Sequence, residues 1–148
     1  MESISHIRNV FLAEDDEDDV LIFRLALHKL SVVIELKHAT DGDVLLDLLR
    51  KEIPDIIFLD IKMRGKDGMA SIAEIRSNSE YNHVPVVMYT SLKGDKYVDE
   101  SFANGANFYL LKANSISLLA EKLKMIFSID WKSYTYYPPK TEFVLDAQ

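Results

Sequence analysis

Three acids, a hydroxyl and an amine stand immediately after short apolar runs in this chain. Glu14 and Asp15 follow Val10–Ala13 (VFLA), and Asp60 follows Ile56–Leu59 (IIFL). Thr90 closes Val86–Tyr89 (VVMY), and Lys112 follows Asn107–Leu111 (NFYLL). Runs of this kind, rich in branched and aromatic side chains, read as strands buried on both faces of a parallel sheet. In an open parallel sheet, chemistry collects at the carboxyl ends of the strands. Asp60 alone would be no more than a residue that ends a strand and caps a turn. Five residues of the right types on four strand ends point to one shared site. Crowded carboxylates repel unless a cation joins them, and Mg2+ takes oxygen ligands while keeping waters and phosphate oxygens in its shell. An ammonium and a hydroxyl suit the equatorial oxygens of a transferring phosphoryl group. A carboxylate can be the nucleophile that forms an acyl-phosphate. The set therefore reads as a magnesium-assisted aspartyl-phosphate site.

The elements that must position these residues follow from periodicity. Val20, Phe23, Ala26, Leu27 and Leu30 recur at helical steps after the acidic run Glu14–Asp19, whose later members Glu17, Asp18 and Asp19 suit a first helical turn. Val32–Leu36 predicts a strand, and Asp43–Lys51 a helix with Val44, Leu45, Leu48 and Leu49 on one face. Gly68–Ser77 predicts a helix through Met69, Ile72, Ala73 and Ile75. Tyr97–Ala103 predicts a weak helix, anchored by Val98 and Phe102 and stopped by Gly105, and Ile116–Phe127 a final amphipathic one. Five strands alternating with five helices predict a doubly wound α/β fold, a parallel sheet with helices on both faces.

Composition narrows the function classes. The chain has 148 residues, 48% of them hydrophobic, which suits one packed domain. The absence of cysteine removes disulfides and thiolate metal sites and fits a reducing compartment. A net charge of −7 argues against a nucleic-acid partner. No apolar stretch is long enough to insert in a membrane, and Met1–Asn9 does not read as a leader, so a cytoplasmic location is expected. His6, His28, His38 and His83 lack metal-ligand spacing and are expected at surface or edge positions.

The segments FLAEDD at 11–16, PDIIFLDIKMRGKDG at 54–68, VVMYTS at 86–91 and GANFYLLK at 105–112 resemble the receiver domain of bacterial two-component response regulators. The resemblance spans roughly residues 8 to 127 and agrees in residue type, order and spacing. It implies a flavodoxin-like five-stranded sheet of strand order 2-1-3-4-5. It also implies that Asp60 accepts a phosphoryl group from a phosphohistidine on a sensor kinase or phosphotransfer protein. Mg2+ would be held by Glu14 (through a water), Asp15, Asp60 and the main-chain carbonyl of Lys62. Thr90 and Lys112 would contact the phosphoryl oxygens, and Tyr109 would be the aromatic switch that turns inward with Thr90. Read from its residues alone, Tyr109 is a half-buried strand aromatic.

Three positions depart from the family pattern. Arg64 stands where proline is usual, Lys62 replaces a small polar residue, and Ala113 replaces the proline that commonly follows the lysine in a cis bond. A cis bond before alanine costs about 3 kcal/mol, so a trans bond is expected. The Lys112 loop should then take a different path, leaving the aim of the amine open. Lys62 and Leu92 flank the site and are expected to alter the lifetime of the phosphate.

Residues 1–129 are assigned to the receiver and 130–148 to an aromatic tail bearing Trp131, Tyr134, Tyr136, Tyr137, Phe143 and Val144, with no output domain. The tail is expected to fold back over its own domain. The alternative has Glu142–Leu145 add to a partner's strand or wrap a second copy in a homodimer. The function expected is a stand-alone, phosphorylation-controlled binding module that signals to a downstream protein. It is not an enzyme beyond its own phosphoryl uptake and loss. The alternatives are a phosphorelay shuttle, a small-substrate hydrolase and an unphosphorylated scaffold.

Overall fold

The structure, a computed structural model, describes residues 6–132 and 136–146; Tyr134 lies outside them. Strands β1 (Asn9–Ala13), β2 (Glu35–Ala39), β3 (Ile56–Leu59), β4 (Val86–Thr90), β5 (Phe108–Leu111) and β6 (Val144–Asp146) alternate with helices. These are α1 (Glu17–His28), α2 (Gly42–Lys51), α3 (Gly68–Ser77), α4 (Asp95–Ala103) and α5 (Ile116–Phe127). Every strand pairing is parallel, and the order is β2-β1-β3-β4-β5-β6. This is the expected flavodoxin-like arrangement with one strand added at its edge.

The period-two alternation of the strands divides the core between two layers. Val10, Leu12, Phe58 and Tyr89 pack with Phe23 of α1 and Leu123 and Phe127 of α5. Phe11, Ile57, Leu59 and Met88 pack on the other face with Leu45 and Leu49 of α2 and Ile72 and Ile75 of α3. Helix starts follow capping chemistry: Asp16, Asp41, Asp67 and Ser115 each accept a backbone N–H of the first turn. Helix α4 has no such cap and Ser101 is its one buried residue, in keeping with the weak apolar pattern of that segment. It ends in a Schellman motif: Ala106 N–H donates to Ser101 O, Gly105 N–H donates to Phe102 O, and Gly105 takes φ +92°.

Three expectations are corrected. The second strand is Glu35–Ala39, not Val32–Leu36. Its register is set by pairing with β1, beginning where Glu35 N–H donates to Arg8 O at 2.7 Å, while Val33 upstream is 88% exposed. On α2 the buried face is Leu45, Leu46 and Leu49, and Val44 points outward. The sheet has six strands, not five, because the tail supplies β6.

That tail strand pairs Val144, Leu145 and Asp146 with Tyr109, Leu110 and Leu111 of the same chain. The described part of the tail therefore folds back over its own domain, as expected. The strand propensity of its end is spent on the open edge of β5 rather than on a partner. Phe143 is fully buried, packed edge-to-face on Phe102 and tilted against Tyr109. Trp131 is buried against Phe108, its indole N–H donating to Ile126 O. No described helix is long and apolar enough to cross a membrane.

Candidate functional site

Parallel register carries the polar residues to one rim. Ala13 is level with Leu59, Leu59 with Met88, and Thr90 with Leu111. The ladder continues one residue past each strand: Glu14 N–H donates to Ala39 O, Asp60 N–H to Ala13 O, and Lys112 N–H to Thr90 O. The backbones that carry the two buried acids and the amine are thus held by sheet hydrogen bonds.

The side chains converge. Carboxylate oxygens of Glu14, Asp15 and Asp60 lie within 4.8 Å of one another. The Lys112 ammonium sits 2.9 Å from Asp60 Oδ2, 2.8 Å from Asp19 Oδ2 and 2.6 Å from Glu14 Oε1. The contacts to Asp19 and Asp60 are hydrogen bonds. The contact to Glu14 Oε1 is close but misaligned, so that buried oxygen has no hydrogen-bond partner. Asp60 Oδ1 accepts from Ile61 N–H. Glycine is required at position 68, where a Cβ would lie 2.1 Å from the Asp60 carbonyl oxygen.

Electrostatics follow from this crowding. Burial pushes the Glu14 carboxyl up to about 7; the Asp60 charge adds to this and Lys112 opposes it. For Lys112, burial works against the charged form. Its hydrogen bond to Asp19 and the nearby carboxylates of Glu14 and Asp60 outweigh that, and its pKa is raised.

The donor set fits a hard divalent ion. Three carboxylates whose oxygens lie within 4.8 Å of one another can reach a common ion of that kind. Glu14 Oε1, buried and paired with Lys112 but without a hydrogen bond, is the kind of group such an ion or its water would satisfy.

The amine is aimed at the acceptor although Ala113 follows it, and no described peptide bond is cis. The aim that the missing proline left open is thus toward Asp60. Arg64 has a consequence that proline could not supply: its backbone N–H donates to Asp15 Oδ2 at 3.0 Å. Its guanidinium remains 91% exposed. Lys62 is exposed, two residues beyond Asp60.

Thr90 and Tyr109 meet at one peptide segment. Thr90 Oγ1 accepts from Leu92 N–H at 3.2 Å, and the Tyr109 hydroxyl donates to Leu92 O at 2.7 Å. Tyr109 is fully buried, not half-buried, and burial, with Asp60 adding to it, pushes its hydroxyl up to about 12.

Two contributors were not singled out from sequence. Asp19 looked like an ordinary first-turn acid, and His38 like an edge residue. His38 is indeed on the edge strand β2, where its Nε2 lies 2.6 Å from the Glu14 carbonyl oxygen. Asp19 lies three residues past the N-cap Asp16, an ordinary place for a capping acid, and nothing in the sequence sets it apart.

Comparison with known proteins decides the family. Residues 10–124 match the response regulator receiver domain. The chain belongs to the receiver-domain family. It is 32% identical over 104 residues to the response regulator PleD of Caulobacter vibrioides, an alignment covering 70% of this chain and 22% of PleD. The chain thus spans about a fifth of that relative. Among solved structures, the phosphorylated cyanobacterial phytochrome response regulator RcpA superposes with TM-score 0.73 at 29% identity, covering 81% of this chain and 91% of RcpA. The Mn(2+)-bound response regulator Rcp1 superposes with TM-score 0.74 at 26% identity, covering 89% of this chain and 99% of Rcp1.

Proposed function

We propose that this receiver accepts a phosphoryl group on Asp60 from a phosphohistidine of a sensor kinase or phosphotransfer protein, and that the modified form changes its affinity for a downstream protein. The observation that carries this is the Lys112 ammonium 2.9 Å from Asp60 Oδ2, inside a triad of carboxylates on one sheet rim. An Asp60 oxygen attacks phosphorus and forms an O–P bond. The N–P bond of the phosphohistidine breaks, and the histidine nitrogen keeps the electron pair. Lys112 and Thr90 receive the equatorial oxygens. Glu14 (through a water), Asp15, Asp60 and the Lys62 carbonyl would hold Mg2+, which would supply positive charge against the transferring group. Relatives solved in a phosphorylated and in an Mn(2+)-bound form support this use of the rim.

Thr90 is the proposed switch. Turning toward the phosphoryl group, its hydroxyl gives up Leu92 N–H, and Tyr109 holds the same segment through Leu92 O. A local charge event is thereby passed to the α4–β5 face. The chain turns over no external substrate in this reading, and it works in the cytoplasm beside its kinase. In this reading residues 1–129 form the receiver and 130–148 a tail, of which Val144–Asp146 covers the β5 edge.

The test is incubation with acetyl phosphate and Mg2+, followed by intact-mass measurement. One added phosphoryl group is expected, absent in Asp60→Ala and after chelation. No mass gain in the native protein would sink the proposal. Lys62→Asn is expected to change the dephosphorylation rate; an unchanged rate removes the role of Lys62.

A further inference from the structure

The Lys112 side chain needs something to aim it. It carries four rotatable bonds and loses much freedom when held. The proline that commonly stiffens the following loop in this family is Ala113 here. Yet the ammonium sits on Asp60. Two well-formed hydrogen bonds hold it, one to Asp60 Oδ2 and one to Asp19 Oδ2 at 2.8 Å.

Asp19 occupies the third position of α1, where an acid can turn back to the N-cap residue's N–H and complete a capping box. It does not do so. The Asp16 N–H is taken by Glu14 Oε2 at 3.1 Å, and Asp16 Oδ1 receives Asp18 N–H and Asp19 N–H. The Asp19 carboxylate is thereby released from capping and turned to Lys112. Its side chain is 28% exposed, so it reaches the amine from the solvent side, opposite buried Glu14.

We propose that Asp19 is a positioning residue of the phosphoryl-transfer site: it holds the Lys112 ammonium against Asp60 from helix α1, in place of the constraint a proline after the lysine would impose. This rests on the function proposed above. Asp19 touches neither acceptor nor donor and acts through Lys112. It also gives the ammonium a second carboxylate to return to when the phosphoryl group leaves.

The test uses the full chain with Asp19→Ala, Asp19→Asn and Asp19→Glu. Phosphoryl uptake from acetyl phosphate is followed at saturating Mg2+ over a range of donor concentration. Asp19→Ala and Asp19→Asn are expected to lower the maximal uptake rate about tenfold with little change in half-saturation, as for a mispositioned group. Asp19→Glu is expected to recover part of it. A structural role at the helix start would lower the melting temperature without this split. The Lys112 Nζ–H signal in 15N NMR gives a readout that needs no phosphorylation: it is expected to broaden or vanish in Asp19→Ala and return in Asp19→Glu. If native protein takes up no phosphate but the signal behaves so, the function proposal fails and the positioning role survives. An unchanged Lys112 signal in Asp19→Ala overturns the inference. So does a loss of Mg2+ affinity in Asp19→Asn as large as in Asp15→Asn, which would make Asp19 a metal ligand.

Discussion

The two ends of β5 hold buried polar groups in opposite ways. At its amino end, Asn107 is fully buried and both polar atoms of its side chain are hydrogen-bonded. Its Oδ1 accepts from Arg76 Nη2 and from Val86 N–H, and its Nδ2 donates to Tyr136 O at 2.7 Å. Arg76 also donates from Nε to Gly105 O and from Nη1 to Tyr81 O. That network joins α3, β4, β5 and the tail. At the carboxyl end, Lys112 faces Glu14, Asp19 and Asp60, with Asp15 alongside and Glu14 Oε1 ion-paired but without a hydrogen bond. A buried network whose members are all satisfied adds rigidity and one defined arrangement. A network with excess charge and an open lone pair is poised to bind a cation and to rearrange.

The largest expected contrast is in stability. Asn107→Ala removes the acceptor of the Val86 N–H and of Arg76 Nη2 and breaks the bond that ties β5 to the tail at Tyr136 O. We expect a loss of about 4 kcal/mol in chemical denaturation, as for a broken buried network. Glu14→Gln removes a buried charge from an overcrowded rim and should leave metal-free stability equal or higher. If both variants destabilise alike, the two ends are equivalent and the contrast fails.

Next in size is a pH effect confined to the rim. The folded Glu14 carboxyl is raised to about 7 from an ordinary 4.5. Between these values the folded state keeps a proton that the unfolded chain has lost. The contribution is therefore full below about pH 4.5 and disappears as pH rises through 7. In chelator, native protein should lose on the order of 2 kcal/mol more than Glu14→Gln between pH 5 and pH 8. Mg2+ should remove the difference by binding the ionised form. A difference of opposite sign would contradict the burial account.

The smallest effect sharpens the tail side. Lys140 pairs with Asp99 and lies 5.7 Å from the Phe102 ring centroid, but both members of the ion pair are about half exposed. Lys140→Ala should cost less than about 1 kcal/mol. A cost matching Asn107→Ala would mean that the exposed clasp, rather than the buried amide and strand pairing, seats the tail.

By itself the sequence determined the rim. Each strand stops where apolar residues give way to a polar one, a local change of type. The alternation of elements makes the sheet parallel, so the strand ends gather on one side. Glu14, Asp15, Asp60 and Lys112 were legible for that reason, and so was the strand order once the motifs were recognised. What the tertiary structure decided depends on partners distant in the chain. Glu35–Ala39 became the second strand because β1 offered its register there. Val144–Asp146 became a sixth strand because the edge of β5 was open. Asp19 joined the rim because α1 turns its third residue toward an amine 93 residues away. A residue's type limits what it can bind; only folding selects which of its possible partners arrives.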